Sequence, residues 1–476
     1  MILDSKERIE TFKRRGWWGE KTVADVFDEA VDHRSEELAL VDPLNRPDVD
    51  GRVHRRLTWG DVDKEVNRLV HVLSDHGIGH SDVFTAQLPN VVELPMMYLA
   101  AARLGAVLSP IRMSAGPARV REAISSVESQ LHITTDGVDG DAASSVAADL
   151  TDELAHLRKV LVLGRSSAFS HDSLDSLDDL LEQAPSHRPA RPEGLSADDI
   201  LTICWSSGTE GIPKGVPRSH NQWFVSAYGT IDAAELTADD ILLGPFPVIN
   251  MAGVGGMLMP WLLTHSRLVL HESFELMAFM KQIAKERVTY TLAPPDVLNH
   301  LLARDDVLIR SDLSSLRFIG SGSSPLEPTM VRTWQEDYGI YVINLFGSNE
   351  GCTLVSAPGD VPSPEQRARF FPRFGVEGFE WKNRVAGQMK SRLVDLETGE
   401  EITEPGRPGE LCLWGAAIFP GYWRSPELNR VKFDDEGYYR TGDAFQVAGP
   451  GADRRFYEFV GRVQDLESPI TLPESA

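Results

Sequence analysis

Residues 201–216 read LTICWSSGTEGIPKGV and join an apolar segment to a loop of glycines and hydroxyl residues. The apolar part, residues 201–205, has the composition of a buried strand. In the loop, glycines let the backbone approach a bulky anion and turn its N–H groups inward, while hydroxyl donors and a lysine add polar contacts. These loop residues are Ser206, Ser207, Gly208, Thr209, Gly211, Lys214 and Gly215. The stretch therefore predicts a strand followed by a polyphosphate-binding loop.

Two other interpretations of this loop have to be considered. A phosphate loop of the GxxxxGK[ST] kind, as in P-loop kinases and ATPases, also presents a lysine after a strand. Its spacing does not fit, because Pro213 precedes Lys214 and Gly215 follows it. A polar turn without a ligand is the ordinary explanation of a Gly/Ser loop, but the Pro-Lys-Gly end after a strand favours phosphate binding.

Strand and helix patterns alternate on both sides of the loop, which predicts an α/β fold with mainly parallel sheets. Residues 23–33 and 57–78, for example, have apolar side chains at helical spacing. Residues 136–157 and 165–199 are rich in small and polar residues and are expected to be surface connections. From about residue 385, short apolar segments alternate with Gly/Pro turns, which indicates a small antiparallel or barrel-like unit.

We therefore expect two stacked αβ subdomains with mainly parallel sheets, together with a small β-barrel subdomain. The expected boundaries are 1–200 for the first αβ subdomain, 201–384 for the second, which has the phosphate loop and an acyl pocket, 385–465 for the β-barrel-like subdomain, and 466–476 for a tail after a hinge.

Composition restricts the partners and the compartment. The chain has 476 residues and a formal net charge of −24 without a basic stretch, which disfavours nucleic acid as a partner. No apolar stretch approaches the roughly 20 residues that a membrane span needs. The N-terminus lacks the apolar region of a secretory signal, and three widely separated cysteines form no disulfide framework. We expect a cytoplasmic protein.

Four further segments carry polar or aromatic residues next to glycine turns. They are GSSPL at 322–326, NLFGSNEG at 344–351, YRTGD at 439–443 and GRVQD at 461–465. An aspartate after a glycine turn, as at Asp443, can accept hydrogen bonds from both hydroxyls of a ribose. Each segment alone could be an ordinary turn, so their order along the chain carries the argument.

Together with the phosphate loop, this set resembles the adenylate-forming superfamily, which comprises acyl-CoA synthetases, aryl acid ligases, luciferases and peptide-synthetase adenylation domains. The resemblance runs from about residue 20 to residue 465. It implies an adenine and ribose site. The residues so implied are Gly322, Ser323, Ser324 and Pro325 along the adenine, Phe346 and Gly347 at its face, and Asp443 and Arg462 at the ribose.

The resemblance also implies a catalytic group made of Lys214, Asn349 and Glu350, with Glu350 as the Mg²⁺ ligand and Asn349 at the α-phosphate. The acid would lie beside residues 246–253. Its pocket residues are Asn250, Met251, Gly253, Gly320 and Cys352. Because these are mostly apolar or small, we expect a hydrophobic acid, whether medium-chain, alicyclic or aromatic. This chain departs from the family pattern at Glu210, Asn250, Asn349 and Gln464.

The implied activity is ATP- and Mg²⁺-dependent conversion of a carboxylic acid to an acyl-adenylate, as in fatty acid metabolism, with CoA as the expected acceptor and a carrier-protein thiol left open. Alicyclic or aryl CoA ligases are the nearest in pattern, and a homodimer is compatible with the resemblance.

In this superfamily a C-terminal lid with a catalytic lysine follows the hinge, whereas this sequence stops soon after Asp465. An excised domain, a truncated product and a separately encoded lid all remain open. We expect the chain alone to bind ATP and acid but to adenylate poorly; the alternative is a non-catalytic nucleotide or acyl-adenylate binding protein.

Overall fold

The computed structural model describes most of the chain, and the structural statements below concern only that part. The described residues are 1–136, 143–164, 171–206, 213–449, 451 and 453–467. Within them, no helix is both long enough and apolar enough to cross a lipid bilayer.

The strands of the described part, in chain order, are β1 (Leu38–Val41), β2 (Arg56–Thr58), β3 (Val83–Gln87), β4 (Val107–Pro110), β5 (Leu131–Thr134), β6 (Lys159–Val162), β7 (Leu174–Ser176), β8 (Ile200–Ser206), β9 (Lys214–Ser219), β10 (Ile241–Gly244), β11 (Arg267–Leu270), β12 (Tyr290–Leu292), β13 (Phe318–Gly322), β14 (Tyr341–Gly347), β15 (Thr353–Ser356), β16 (Phe370–Pro372), β17 (Met389–Val394), β18 (Glu401–Ile402), β19 (Pro408–Gly415), β20 (Tyr439–Val447) and β21 (Phe456–Arg462).

The α-helices are α1 (Lys6–Arg14), α2 (Val23–Arg34), α3 (Arg46–Asp50), α4 (Trp59–Asp75), α5 (Glu93–Leu104), α6 (Pro117–Ser126), α7 (Ala143–Glu153), α8 (Leu177–Gln183), α9 (His220–Ala233), α10 (Met259–Thr264), α11 (Leu276–Glu286), α12 (Pro295–Leu302), α13 (Asp305–Leu308), α14 (Pro328–Tyr338), α15 (Pro364–Arg369), α16 (Pro426–Lys432) and α17 (Val463–Glu467). A π-helix, Met251–Leu258, precedes α10, and a 3-10 helix spans Arg384–Gly387.

The strands form three sheets. A seven-stranded sheet has the order β7-β6-β5-β3-β4-β8-β9 and is parallel except for β9, which runs antiparallel to β8. An eight-stranded sheet has the order β15-β14-β13-β12-β10-β11-β1-β2, with antiparallel strands only at its two edges. The predicted α/β fold with mainly parallel sheets is therefore confirmed.

The third sheet is the antiparallel unit that the sequence predicts near the C-terminal end of the chain. Its order is β16-β21-β20-β19-β17-β18. The sheet also includes β16, which lies before residue 385, the expected start of this unit. β16 belongs to the sheet because it pairs with β21.

The strands of the two mainly parallel sheets are not divided at residue 200, the expected boundary of the first subdomain. β1 and β2 belong to the eight-stranded sheet, whereas β8 and β9 belong to the seven-stranded one. The expected domain boundaries stay a prediction.

Local sequence explains where the helices begin. Before α4, the Thr58 hydroxyl accepts a hydrogen bond from the N–H of Asp61, whose carboxylate accepts from the N–H of Thr58. Ser219 and Gln222 make the same reciprocal pair at the start of α9. Such a capping box satisfies N–H groups that have no partner inside the helix. It also places α9 directly after β9.

Residues buried in the largest core come from both mainly parallel sheets and from the helices between them. Every residue of α5 is buried, as are most residues of α9. A helix that is apolar on all sides is stable only inside a core. These two helices therefore fix the positions of the sheets relative to each other.

Two expected surface connections contain regular structure. Residues 136–157 include α7, and residues 165–199 include β7 and α8. Ala147 and Leu150 of α7 are buried in a small core with strand β6. Small alanines pack well on a sheet although they give a weak hydrophobic pattern, which is why the sequence looked like a connection.

Candidate functional site

The predicted phosphate loop joins two paired strands. β8 ends at Ser206 and β9 begins at Lys214, and these two residues lie opposite each other in the antiparallel register. β9 is at the edge of its sheet and tolerates Pro217 there, since an edge strand does not need every N–H for pairing. The predicted loop residues between them fall outside the described part of the chain: Ser207, Gly208, Thr209, Glu210 and Gly211.

A segment before α16 packs against the lysine end of this strand pair. The N–H of Trp423 donates to the carbonyl of Gly215 at 2.9 Å. The ammonium group of Lys214 lies 5.5 Å from the centre of the Tyr422 ring, within the range of a cation–π contact. Lys214 is half-buried. The aromatic ring therefore holds this cation beside the ends of β8 and β9.

Through its hydroxyl, Tyr422 contacts the carboxylate of Glu350. The Tyr422 hydroxyl donates to Oε1 of Glu350 at 2.8 Å and is 2.8 Å from the hydroxyl of Tyr439. Burial, followed by the charge of Glu350, raises the pKa of both phenols, so they stay protonated and can donate. The N–H of Phe419 donates to the carbonyl of Glu350 at 2.9 Å. Both the backbone and the side chain of Glu350 are thus fixed.

The surroundings of Glu350 fit one kind of metal ion. Among the described residues, no three His, Cys, Asp or Glu side chains are grouped closely enough to hold a metal by themselves. Mg²⁺ commonly takes one or two carboxylates and completes its shell with water and substrate phosphate oxygens. A single buried carboxylate close to the ends of the phosphate-loop strands matches that donor set.

Asn349 connects three segments of the site. Its Nδ2 donates to the carbonyl of Trp205 at 3.1 Å, near the end of β8. Its Oδ1 accepts from the N–H of Met251 at 2.8 Å, at the first residue of the π-helix. Its own carbonyl accepts from the guanidinium of Arg218 at 3.0 Å. The predicted catalytic asparagine therefore has structural partners at both ends of its amide.

Arg218 is a buried residue that the sequence analysis did not select. Its guanidinium also donates to the carbonyl of Gln222 and the hydroxyl of Ser226, both at 2.7 Å, and it lies over the ring of Trp223. Burial lowers its pKa to about 10, so it remains a cation at neutral pH. An arginine within a strand of small and apolar residues was the only signal in the sequence, and it does not indicate these partners.

The predicted adenine segment follows β13. Ser323 has a positive φ of 71°, and the side chains of Ser323, Ser324 and Pro325 are exposed. A Cβ added to Gly322 would lie 2.0 Å from the carbonyl oxygen of Leu345. Only glycine allows β13 and β14 to approach this closely.

Phe346 and Gly347 end strand β14 on the same side of the site. Phe346 is half-buried, and its ring meets that of Phe445 edge-on, with the ring centres 5.1 Å apart. Phe445 belongs to β20, so this pair joins the eight-stranded sheet to the six-stranded one.

The predicted ribose residues lie on β20 and β21. Asp443 pairs in register with Arg462, whose guanidinium is 2.9 Å from the Asp443 carboxylate. The pKa of Asp443 is raised to about 6, chiefly by burial. The charges of Glu350 and Glu410 also raise this pKa, whereas the charge of Arg462 lowers it. All three sheets therefore contribute residues to one region.

The predicted acyl pocket begins at Asn250. Its Oδ1 accepts a hydrogen bond from the N–H of Gly253 at 3.2 Å and so caps the π-helix. π-helices are rare and occur frequently at functional sites. A Cβ on Gly253 would lie 2.1 Å from the carbonyl oxygen of Pro247, so this turn requires glycine.

Gly320 and Cys352 were also predicted for this pocket. A Cβ on Gly320 would lie within 2.8 Å of the ends of three side chains, those of Leu292, Leu345 and Tyr290. Cys352 is buried, and burial raises the pKa of its thiol. A thiol that resists ionisation is a poor nucleophile, so Cys352 acts as an apolar side chain.

Two cavities differ in their relation to these residues. One of about 400 Å³ is lined by Arg112, Trp205, Ser206, Pro213 and Asn250, among others, and so borders both the phosphate-loop strands and the acyl segment. The other, about 590 Å³, has no predicted site residue in its lining. Its charged groups pair with one another. Volume alone therefore does not identify the site.

Comparison with known proteins gives the family and the fold of the chain. The sequence profile described as AMP-binding enzyme matches residues 27–423. A probable CoA ligase from Humulus lupulus is 27% identical over 430 residues, which cover 88% of this chain and 72% of that protein. The medium-chain fatty-acid–CoA ligase of Escherichia coli is 24% identical over 465 residues, covering 97% and 76%. The inhibitor-bound N-terminal domain of FACL13 from Mycobacterium tuberculosis superposes with a TM-score of 0.77 at 22% identity, covering 93% of this chain and 100% of that one, and has the same fold.

Proposed function

Because the chain belongs to the AMP-binding enzyme family, we propose that it is an AMP-forming acid–CoA ligase. It activates a hydrophobic carboxylic acid with ATP as an acyl-adenylate, releases pyrophosphate and passes the acyl group to CoA. The observation that carries the proposal is that Tyr422 contacts both Lys214, over its ring, and Glu350, through its hydroxyl, beside the strands that bear the phosphate loop. The CoA ligases among its relatives support the choice of acceptor.

The reaction brings a carboxylate to a polyanion, so neutralising charge and aligning the reactants supply most of the rate. A carboxylate oxygen of the acid attacks the α-phosphorus of ATP, a P–O bond forms, and the bond to the pyrophosphate oxygen breaks. Lys214 offsets the phosphate charge, and Ser206 and the predicted loop residues donate hydrogen bonds. No protein nucleophile is needed, in keeping with the protonated thiol of Cys352.

Glu350 is the residue that would hold Mg²⁺. When bound, the ion supplies charge neutralisation at the phosphate oxygens. Tyr422 and Tyr439 orient the Glu350 carboxylate from the side of the six-stranded sheet. Tyr422 donates to Oε1 of Glu350 and Tyr439 donates to Tyr422, so the second carboxylate oxygen of Glu350 is left for a ligand.

Asp443, and Arg462 beside it, bind the ribose hydroxyls, while Phe346 and the segment 322–325 bound the adenine. The acid lies against Met251, Gly253 and Gly320. Its carboxylate points toward the phosphate strands, because the π-helix begins at the Asn349 amide. We place the protein in the cytoplasm with small-molecule substrates.

The exchange of radiolabelled pyrophosphate into ATP tests the first half-reaction. The assay uses the 476-residue chain with Mg²⁺ and octanoate, cyclohexanecarboxylate, benzoate or 4-coumarate. We expect slow exchange that requires both the acid and Mg²⁺ and is lost in Lys214→Ala. Mass spectrometry with added CoA then detects the thioester, AMP and pyrophosphate.

Two outcomes contradict the proposal. Release of ADP instead of AMP would indicate a kinase or ATPase. Tight binding of ATP with neither exchange nor thioester for any acid, even with a C-terminal lid domain supplied in trans, would favour a nucleotide-binding protein without turnover. Lys64→Ala is the matched control, because this exposed lysine of α4 pairs with Asp61 outside the proposed site and its loss should leave exchange intact.

A further inference from the structure

We propose that Asn349 is a positioning residue that transmits nucleotide binding from the phosphate loop to the helix on which the acid lies. The inference rests on the proposed function for the identity of the two sites. Its basis is one side chain whose two ends bond different segments: Nδ2 donates to Trp205 and Oδ1 accepts from Met251. These segments are far apart in sequence and are joined here through a single amide.

The two bonded groups lie at places where movement matters. Trp205 is the last residue but one of β8, and the phosphate loop follows directly after Ser206. Met251 is the first residue of the π-helix, and its N–H is one of the helix-terminal donors that have no partner within the helix. A shift of the end of β8 on nucleotide binding therefore acts on the carbonyl of Trp205, and through Asn349 on the start of the π-helix.

Asn349 itself is held firmly. Its carbonyl accepts a 3.0 Å hydrogen bond from Arg218, whose buried guanidinium is fixed by Gln222 and Ser226. A bridge transmits a displacement only if its own backbone is anchored. The buried guanidinium of Arg218 anchors the backbone of Asn349. The side-chain amide of Asn349 is then the group that responds to movement of β8 or of the π-helix.

The helix start has a second cap that does not reach the phosphate strands. Asn250 accepts from the N–H of Gly253, within the same helix. The chain thus provides a natural comparison: Asn349 links the helix to β8, whereas Asn250 supports the helix alone. Coupling between two sites is reciprocal, so an effect of nucleotide on the helix implies an equal effect of acid on nucleotide affinity.

Hydrogen–deuterium exchange with and without Mg²⁺ and α,β-methylene-ATP tests the inference without any acid. Calorimetry in parallel confirms that the analogue is saturating. In the wild type we expect the amides of residues 251–258 to exchange at least about fivefold more slowly with the analogue, the lower end of ordinary coupling. In Asn349→Ala this slowing should disappear from residues 251–258 but remain in residues 205–215. In Asn250→Ala the basal exchange of the helix should rise while the slowing by the analogue persists.

Each of the other outcomes would overturn either the role of Asn349 or the proposed function. Equal slowing of residues 251–258 in wild type and Asn349→Ala, or none in the wild type despite bound analogue, would overturn the role of Asn349 alone. Failure of the wild type to bind the analogue would overturn the proposed function as well. If Asn349→Ala does not fold, Asn349→Leu serves instead, because leucine has a similar volume but neither donates to Trp205 nor accepts from Met251, and it should lose the slowing in the same way.

Discussion

The hydroxyl of Tyr422 donates a 2.8 Å hydrogen bond to the carboxylate of Glu350. The two residues lie next to strands of different sheets. Glu350 follows β14 of the eight-stranded sheet, and Tyr422 precedes β20 of the six-stranded one. This bond therefore sets the direction of the proposed Mg²⁺ ligand from outside its own segment. Groups that orient a metal ligand in this way are often nearly as important as the ligand.

Tyr422→Phe should weaken the use of Mg²⁺. The carboxylate of Glu350 loses its donor and its fixed direction, and we expect the Mg²⁺ concentration that half-saturates ATP binding to rise about tenfold. The free energy of unfolding should fall by about 1–2 kcal/mol, because a buried carboxylate is left with one fewer partner. Calorimetric titration of ATP at several Mg²⁺ concentrations measures the first effect, and thermal denaturation the second.

Tyr439→Phe is the matched control for this change. It removes a buried hydroxyl from the same pair but keeps the bond between Tyr422 and Glu350. We expect a similar loss of stability with little change in Mg²⁺ dependence. An equal Mg²⁺ shift in both variants would contradict the orienting role of Tyr422.

Nucleotide affinity should depend on pH through Asp443. Its pKa is raised from the ordinary 3.8 to about 6, chiefly by burial. Only the ionised carboxylate accepts hydrogen bonds from both ribose hydroxyls, so the affinity for adenosine should increase between pH 5 and about pH 7 and level off above that. Isothermal titration with adenosine, which has the ribose but no ionising phosphate, measures the profile. Asp443→Asn should bind weakly with a nearly flat profile, and an unchanged slope in that variant would assign the titration to another group.

The same shift has a consequence for stability. A carboxyl whose folded pKa lies above its unfolded value is favoured in its protonated form by the folded state. Its contribution to stability is complete below about pH 3.8 and is lost as the pH rises through about 6. Asp443→Asn should therefore gain stability relative to the wild type at pH 8 but not at pH 4, as urea denaturation at the two pH values would show.

The sequence predicted the family and the segments that carry the candidate site residues. The profile match over residues 27–423 confirms the family. The phosphate-loop stretch and the four further segments, in their order along the chain, indicated the family because each is a motif of consecutive residues. The same holds for α2 and α4, whose apolar spacing and caps are local. The roles of the individual site residues stay predictions.

The bonds that connect the segments could not be predicted. Asn349 lies 144 positions from Trp205 along the chain and 98 from Met251. No periodicity or local motif indicates partners at such separations. Likewise, Arg218 is recognisable as a buried anchor only once β9 and α9 are packed beside Asn349. Sequence patterns report propensity and local geometry, whereas these contacts depend on how three sheets come together.

Gly351→Ala should be strongly destabilising. Gly351 has a φ of 96°, and an added Cβ would lie 1.9 Å from the carbonyl oxygen of Ala417. Both the backbone strain and the contact with a main-chain atom require movement next to Glu350. We expect a loss of about 3 kcal/mol in the free energy of unfolding.

Gly359→Ala is the control for Gly351, since its Cβ would meet only the side chain of Lys382 at 3.7 Å. We expect a change of less than about 0.5 kcal/mol there. Urea denaturation compares the two variants. Similar stabilities would mean that the segment beside Glu350 can move at little cost, contrary to its close packing on Ala417.

Leu292 should limit the size of the acid. Its Cδ2 atom is the nearest to the Cβ position of Gly320, at 2.5 Å, so it fills the space beside the strand that borders the proposed pocket. Leu292→Ala opens this space, and an acid with a longer chain can occupy it. One methylene in an apolar pocket changes discrimination by about tenfold or more. We therefore expect the dissociation constant of decanoyl-sulfamoyl-adenosine, relative to that of the hexanoyl compound, to fall by about tenfold in the variant.

Leu298→Ala gives the corresponding control, because Leu298 is equally buried but belongs to a different core on the other face of the sheet. Either substitution should cost about 2–5 kcal/mol of stability, as is usual for a buried leucine. Only the one at Leu292 should change the ratio of the two dissociation constants, since chain-length preference depends on the space in front of Gly320 rather than on overall stability. A ratio that moves equally in both variants, or in neither, would place the end of the acyl chain elsewhere.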